Sequence, residues 1–194
     1  MQGLLCTGVV RWFNHRPASD GLDSGTSKSS MGKMTNSSPV VGFENCTQQV
    51  AALCWRHRKG RLQVLMITSR ETARWVIPKG WPMPGLTGAE AATREAWEEA
   101  GVEGCAQDLL LGYYAYDKIA QPAPPLHCAV AVYGLPVENL RRRFPERRQR
   151  RRKWFDASDA ALLVAETGLR LILQQISESG GLLAEKPSAT SSMP

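Results

Sequence analysis

The sequence predicts an α/β domain, on three observations. Short β-rich apolar runs recur between Gln49 and Leu135. Among them stands one block of strong helix formers, Ala89–Ala100, closed by Gly101. Two amphipathic segments follow near the C-terminus, 156–165 and 167–176. In a chain of 194 residues, strands on both sides of a helix suit one domain with some surplus. That domain is expected over residues 48–178, with 1–47 and 179–194 as poorly ordered extensions.

The elements follow in order. Ser19–Ser38 is dominated by Ser, Thr, Gly, Lys and Asp, too few large apolar groups to offset the entropy of ordering. Met31 and Met34 lie within it and admit a later start. Thr7–Asn14, TGVVRWFN, resembles the first strand of cold-shock domains. Pro17-Ala18-Ser19-Asp20 stands where their Gly- and Phe-rich second strand belongs, so no such module is expected. Gln49–Trp55 and Leu62–Thr68 are apolar and β-rich, with polar Arg56–Arg61 between them, a hairpin signal. Trp75–Ile77 is a short strand stopped by Pro78, and a Gly- and Pro-rich loop covers Gly80–Gly88. Ala, Glu and Arg make Ala89–Ala100 a helix, with Gly101 as its C-cap. Leu109–Tyr116, Cys128–Leu135 and Trp154–Phe155 read as strands. In the last helix Leu169, Ile172, Leu173 and Ile176 recur at helical spacing.

Composition narrows the function classes. A hydrophobic fraction of 43% against 22% charged residues supports a real core and excludes wholesale disorder. No run approaches the roughly 18 apolar residues of a membrane span. The N-terminus lacks the basic-then-apolar layout of a secretory signal. The five cysteines are odd in number and show no CxxC spacing. A cytoplasmic protein with reduced thiols, and no membrane partner, is therefore expected. The net charge of +6 is concentrated. Arg141–Lys153 holds eight arginines and one lysine against Glu146, so that segment carries +8 and the remainder sums to −2.

Glu95, Glu98 and Glu99 stand at i, i+3 and i+4 and share one helical face, with Glu90 about one and a half turns earlier. Carboxylates crowded this way repel each other unless a cation joins them. Spacing alone leaves two readings open: a solvated acidic face, or a set of hard oxygen ligands for Mg2+ or Mn2+.

The longer segment carries a resemblance. Gly80, five residues, Leu86, seven residues, then Arg94-Glu95-Ala96-Trp97-Glu98-Glu99-Ala100-Gly101-Val102 resembles the Nudix box. That family's pattern is Gly, five residues, Glu, seven residues, then Arg-Glu-apolar-any-Glu-Glu-any-Gly-apolar. The resemblance implies an α/β/α sandwich around a central mixed sheet, and metal-dependent hydrolysis of a phosphoanhydride with Mg2+ or Mn2+. It implies Glu98 and Glu99 as the principal metal ligands, and Glu95 as a ligand or as the group that polarises water. It implies that Arg94 holds those glutamates, that the Lys79 carbonyl is a further ligand, and that Gly80 and Gly101 serve backbone geometry. Leu86 is the departure, standing where the family has Glu. Glu90 then reads either as a partial substitute or as a favourable acid in the first helical turn.

Pro78-Lys79-Gly80-Trp81 resembles Nudix enzymes of dinucleoside polyphosphates and diphosphoinositol polyphosphates, and the wider Arg74–Trp81 stretch resembles bacterial proteins of the latter branch. A small polyphosphate is thus the expected partner, with the Lys79 side chain and Arg147, Arg148 and Arg150 as its candidate cations. A solvated charged face is the alternative for the arginines. Binding of RNA 5′ ends is a third and less favoured reading, and a nucleotide-sensing module without catalysis is a further one. Glu146 is read as a carboxylate completing the metal set from another loop, or as an ion-pair partner of a nearby arginine. His57 and His127 are given no role.

Overall fold

The computed structural model describes Phe43, residues 45–120 and residues 122–179. The expectations for Thr7–Asn14, for Ser19–Ser38 and for the tail after Ser179 lie outside the described residues. Nine strands and three helices follow one another among those described: β1 (Thr47–Arg58), β2 (Arg61–Thr68), β3 (Trp75–Val76), β4 (Lys79–Gly80), α1 (Gly88–Ala100), β5 (Val102–Glu103), β6 (Leu110–Ala120), β7 (Ala123–Pro136), β8 (Asn139–Leu140), β9 (Arg152–Asp156), α2 (Ala157–Leu163) and α3 (Thr167–Ser179).

Seven strands form one sheet with the path β3-β2-β1-β7-β6, β4 pairing with β1 and β9 with β2. β1 and β7 run parallel, Thr47 opposite Cys128 through Trp55 opposite Pro136. The other pairs are antiparallel, so the sheet is mixed. β5 and β8 make a separate two-stranded ribbon. Val50–Trp55 is a continuous buried run because β1 is covered on both faces. Successive side chains take opposite faces. Val50, Ala52 and Cys54 meet Ala91, Ala92, Ala96 and Ala100 of α1. Ala51, Leu53 and Trp55 meet Leu169, Ile172, Leu173 and Ile176 of α3. Helices therefore cover both faces, the α/β/α sandwich that the Nudix resemblance implies.

The differences from expectation are local. The hairpin loop is only Lys59–Gly60, both in the left-handed region (φ 53° and 71°). The polar residues around it stay in the sheet because they pair across it. Arg56 faces Gln63 in register, donates to its Oε1 at 2.9 and 3.1 Å, and lies over the Trp154 ring at 4.0 Å. β6 and β7 likewise run on past Tyr116 and start before Cys128, with Asp117 opposite His127 and their side chains 2.6 Å apart. Asp156 ends β9 rather than beginning the helix, and its carboxylate accepts from Arg61 and Gln63. α2 stops at Leu163, since Val164 is extended. The four apolar residues expected to face the core from α3 are all buried.

α1 begins one residue early because its start is a capping box. The Thr87 hydroxyl accepts the Glu90 N–H at 3.2 Å, and the Glu90 carboxylate accepts the Thr87 N–H at 2.8 Å. Glu90 is thus committed to the cap and does not stand in for the missing glutamate at Leu86. No described helix is long and apolar enough to cross a membrane, and no disulfide joins the described cysteines.

Candidate active site

The site is built where β4 meets α1. β4 lies on β1, with Gly80 opposite Val50 and Lys79 opposite Ala51, and the Ala52 N–H donates to the Pro78 carbonyl at 3.0 Å. This lays the Lys79–Gly80 backbone beside the carboxylates of α1. A Cβ on Gly80 would fall within the Glu95 carboxylate, so only glycine permits that approach. Glu99 is one turn further on and 7% exposed. Its Oε2 accepts the Lys79 N–H at 3.0 Å.

Its other oxygen, Oε1, accepts from the Arg150 guanidinium. Arg150 also donates to Glu146 Oε2 at 2.6 Å and to the Thr68 carbonyl at 3.1 Å. Arg150 is therefore bound by two carboxylates and a carbonyl. The Glu146 N–H donates to the Glu98 carbonyl at 3.0 Å, which fastens the arginine-rich turn to the C-terminal end of α1. The second Glu146 oxygen pairs with Arg70 at 3.5 Å. Arg94 donates from Nε to Glu98 Oε1 at 2.6 Å, one turn apart on the helix.

Lys79, Gly80, Glu95, Glu99, Glu146 and Arg150 border a cavity of about 290 Å3. Glu95, Glu99, Glu146 and Arg150 form its acidic wall. Lys79, Trp81, Tyr116 and Lys118 also line it, with the Lys79 ammonium 5.1 Å from the Tyr116 ring centre and the Lys118 ammonium 5.0 Å from that of Trp81. Arg94, Glu98, Arg147 and Arg148 are not part of the lining. Arg147 and Arg148 are exposed on the turn. Other members of the arginine run hold the protein together: Arg141 pairs with Glu103 at 2.6 Å, and Arg152 donates to the carbonyls of Ala100 and Arg141.

Electrostatics follow from burial. Glu95 is pushed up to about 7, first by loss of water and then by the charges of Glu99, Glu98 and Glu146. Glu99 is raised by burial, against the opposing pull of Arg150 and the Lys79 N–H. Burial lowers Lys79, and the charges of Glu99 and Glu166 oppose that.

Among the described residues Glu95 has no ion pair, and no three Asp, Glu, His or Cys side chains stand close enough to enclose a metal ion. The donor chemistry nevertheless fits a hard divalent cation. Glu95, Glu99 and Glu146 converge on one cavity with more negative charge than Arg150 neutralises, and Glu98 neighbours them on the same helix.

Sequence reasoning missed Arg74, Tyr116 and Gln49 at this cavity. Gln49 is 4% exposed and accepts from the Tyr116 hydroxyl at 2.8 Å. A buried polar side chain opening an apolar run was the available signal.

The NUDIX domain model matches residues 47–176, two thirds of the chain. The chain belongs to the Nudix family. It is 40% identical over 101 residues to Nudix hydrolase 16, mitochondrial, of Arabidopsis thaliana, a match covering 51% of this chain and 56% of that one. It is 34% identical over 119 residues to diphosphoinositol polyphosphate phosphohydrolase 3-alpha of Homo sapiens, covering 60% of this chain and 68% of that one. The Nudix fold itself is seen in the crystal structure of the C. elegans Ap4A hydrolase, with a TM-score of 0.51 at 18% identity, over 69% of this chain and 98% of that one. This Nudix chain spans little more than half the length of the Arabidopsis relative.

Proposed function

We propose that the protein is a divalent-metal-dependent hydrolase of phosphoanhydride bonds, acting on a diphosphoinositol polyphosphate or a dinucleoside polyphosphate. The observation that carries this is one cavity lined by Glu95, Glu99, Glu146 and Lys79, with Arg150 held between Glu99 and Glu146. The Nudix box spacing around them and the human diphosphoinositol relative support the substrate class.

Glu95, Glu98, Glu99 and Glu146 are the residues to hold Mg2+ or Mn2+. The ion, when bound, supplies charge neutralisation at the phosphates and makes a bound water more acidic. The chain's own groups do the rest. Lys79 and Arg150 hold phosphate oxygens, which serves a reaction limited by positioning and charge. Glu95, on the cavity wall, is placed either to hold the ion or to accept a proton from the attacking water. Gly80 keeps its backbone clear of that carboxylate.

The test is a panel of diphosphoinositols, dinucleoside polyphosphates, nucleotide sugars and 5′-triphosphorylated RNA, with Mg2+ or Mn2+. Glu98→Gln and Glu99→Gln are assayed beside the wild type. Each is expected to lower kcat by about a hundredfold or more, equal to ~2.7 kcal/mol of barrier. Near wild-type turnover in both variants removes the metal assignment. RNA as the only substrate moves the assignment to 5′-end hydrolysis.

A further inference from the structure

Glu166 has no place in the chemistry above, yet its side chain is buried and paired with Arg74, a residue that lines the cavity. It lies on the connection between α2 and α3, and its side chain is 8% exposed. Its Oε1 pairs with the Arg74 guanidinium at 3.5 Å, and its Oε2 is buried with no hydrogen-bond partner among the described residues. A carboxylate in that setting costs desolvation that one 3.5 Å contact to a half-exposed arginine does not repay. Its position makes sense through what it faces. Arg74 lines the cavity, its N–H fixed to the Ser69 hydroxyl at 3.1 Å and its Nε to the Thr72 hydroxyl at 3.1 Å. Glu166 is not itself part of the lining. The Arg170 N–H donates to the Glu166 carbonyl at 3.0 Å, and Arg170 also donates to the Val164 carbonyl, so the backbone here is held by the start of α3.

We propose that Glu166 is a positioning residue: its carboxylate holds the Arg74 guanidinium in place for the phosphates of the substrate. This rests on the reading that phosphates occupy this cavity. It gives the helix pair α2–α3, on the far face of the sheet from α1, a direct electrostatic hold on the substrate-binding wall. Arg74 alone has the reach of a flexible side chain. A fixed counter-charge behind it removes the rotamer freedom that binding would otherwise have to freeze.

The experiment is a double-mutant cycle on the full chain with Glu166→Gln, Arg74→Met and the pair. Two quantities are measured. One is the affinity for inorganic tripolyphosphate, by calorimetry in EDTA. The other is KM and kcat with the best substrate of the panel. Glu166→Gln keeps the volume and removes the charge. It is expected to weaken tripolyphosphate about tenfold and to raise KM by a similar factor, with kcat within about twofold. The double variant is expected to be no more than about threefold weaker than Arg74→Met, because Glu166 acts through Arg74. Single effects that multiply in the double variant, unchanged binding in Glu166→Gln, or a wild type that does not bind tripolyphosphate would each overturn the proposal. If Glu166→Gln fails to fold, Glu166→Asp replaces it. Keeping the charge, it should retain affinity within about threefold, and a loss as large as that of Arg74→Met sinks the idea. Calorimetry in EDTA needs no turnover. A non-additive cycle with no hydrolysis of any panel substrate would defeat the functional reading and leave the Glu166 assignment standing, and the reverse outcome would do the opposite.

Discussion

Arg150 and Glu99 form a buried ion pair, their side chains 8% and 9% exposed, between two segments that sequence distance keeps 51 residues apart. Removing one partner of such a pair leaves a charge with neither water nor counter-ion. Arg150→Met is therefore expected to lower unfolding stability at pH 8 by about 3–5 kcal/mol. The deficit should narrow as pH falls, because burial already raises the Glu99 carboxyl and a protonated Glu99 is no longer an orphaned charge. Urea unfolding at pH 8 and at lower pH measures this. A deficit below about 1 kcal/mol at pH 8 would mean that the pair contributes no net stability.

Glu95 fixes the direction of the pH dependence. Its folded value of about 7 lies above its ordinary 4.5. Between those values the native protein holds a proton that the unfolded chain has released. Stability in EDTA should therefore fall as pH rises from about 4.5 to about 7, with the slope set by that proton difference. Glu99 acts in the same direction. Melting temperatures at pH 5, 6, 7 and 8 read the trend, and Glu95→Gln should flatten it. A trend of opposite sign, or one unaltered by Glu95→Gln, counts against the crowded-carboxylate account.

Arg147 and Arg148 are exposed on the turn and face no cavity wall, unlike Arg150. Changing both to Gln should leave kcat unaltered and raise KM by about threefold at low salt, with the effect gone near 0.5 M salt. Substrates with more phosphates should respond more. An equal KM change at both salt concentrations would show direct contact in place of steering.

The capping box separates a helix role from a metal role for Glu90. Thr87→Ala should cost about 1 kcal/mol of stability, read as a lower melting temperature, with KM unchanged. Glu90→Gln should leave the metal concentration needed for half-maximal activity where it is. A marked rise in that concentration would return Glu90 to the metal set.

How much of this could be read along the chain depends on the range of each interaction. The helix α1, its C-cap at Gly101, the hairpin of β1 and β2 and the buried stripe of α3 rest on residues within a turn or a pleat of one another. Periodicity and capping express such relations directly. The box spacing from Gly80 to Val102 likewise lies on one contiguous segment, and it was sufficient for the family and the fold class. The Thr87–Glu90 cap is also written locally, within the first turn of α1, where Glu90 reads as a favourable acid.

Tertiary structure decided what local rules do not reach. The two-residue strands β4, β5 and β8 have no periodicity to show, and exist because a longer partner strand or a neighbouring ribbon lies beside them. Among eight similar arginines between 141 and 153, only the return of the chain over α1 selects Arg150 for Glu99 and Glu146 and leaves Arg147 and Arg148 in solvent. Glu166 reads along the chain as an ordinary polar residue between helices, and becomes a buried charge behind Arg74 only once α3 packs on the sheet. The reason is physical: a charge's role is set by what surrounds it after burial, and burial is a property of the whole fold.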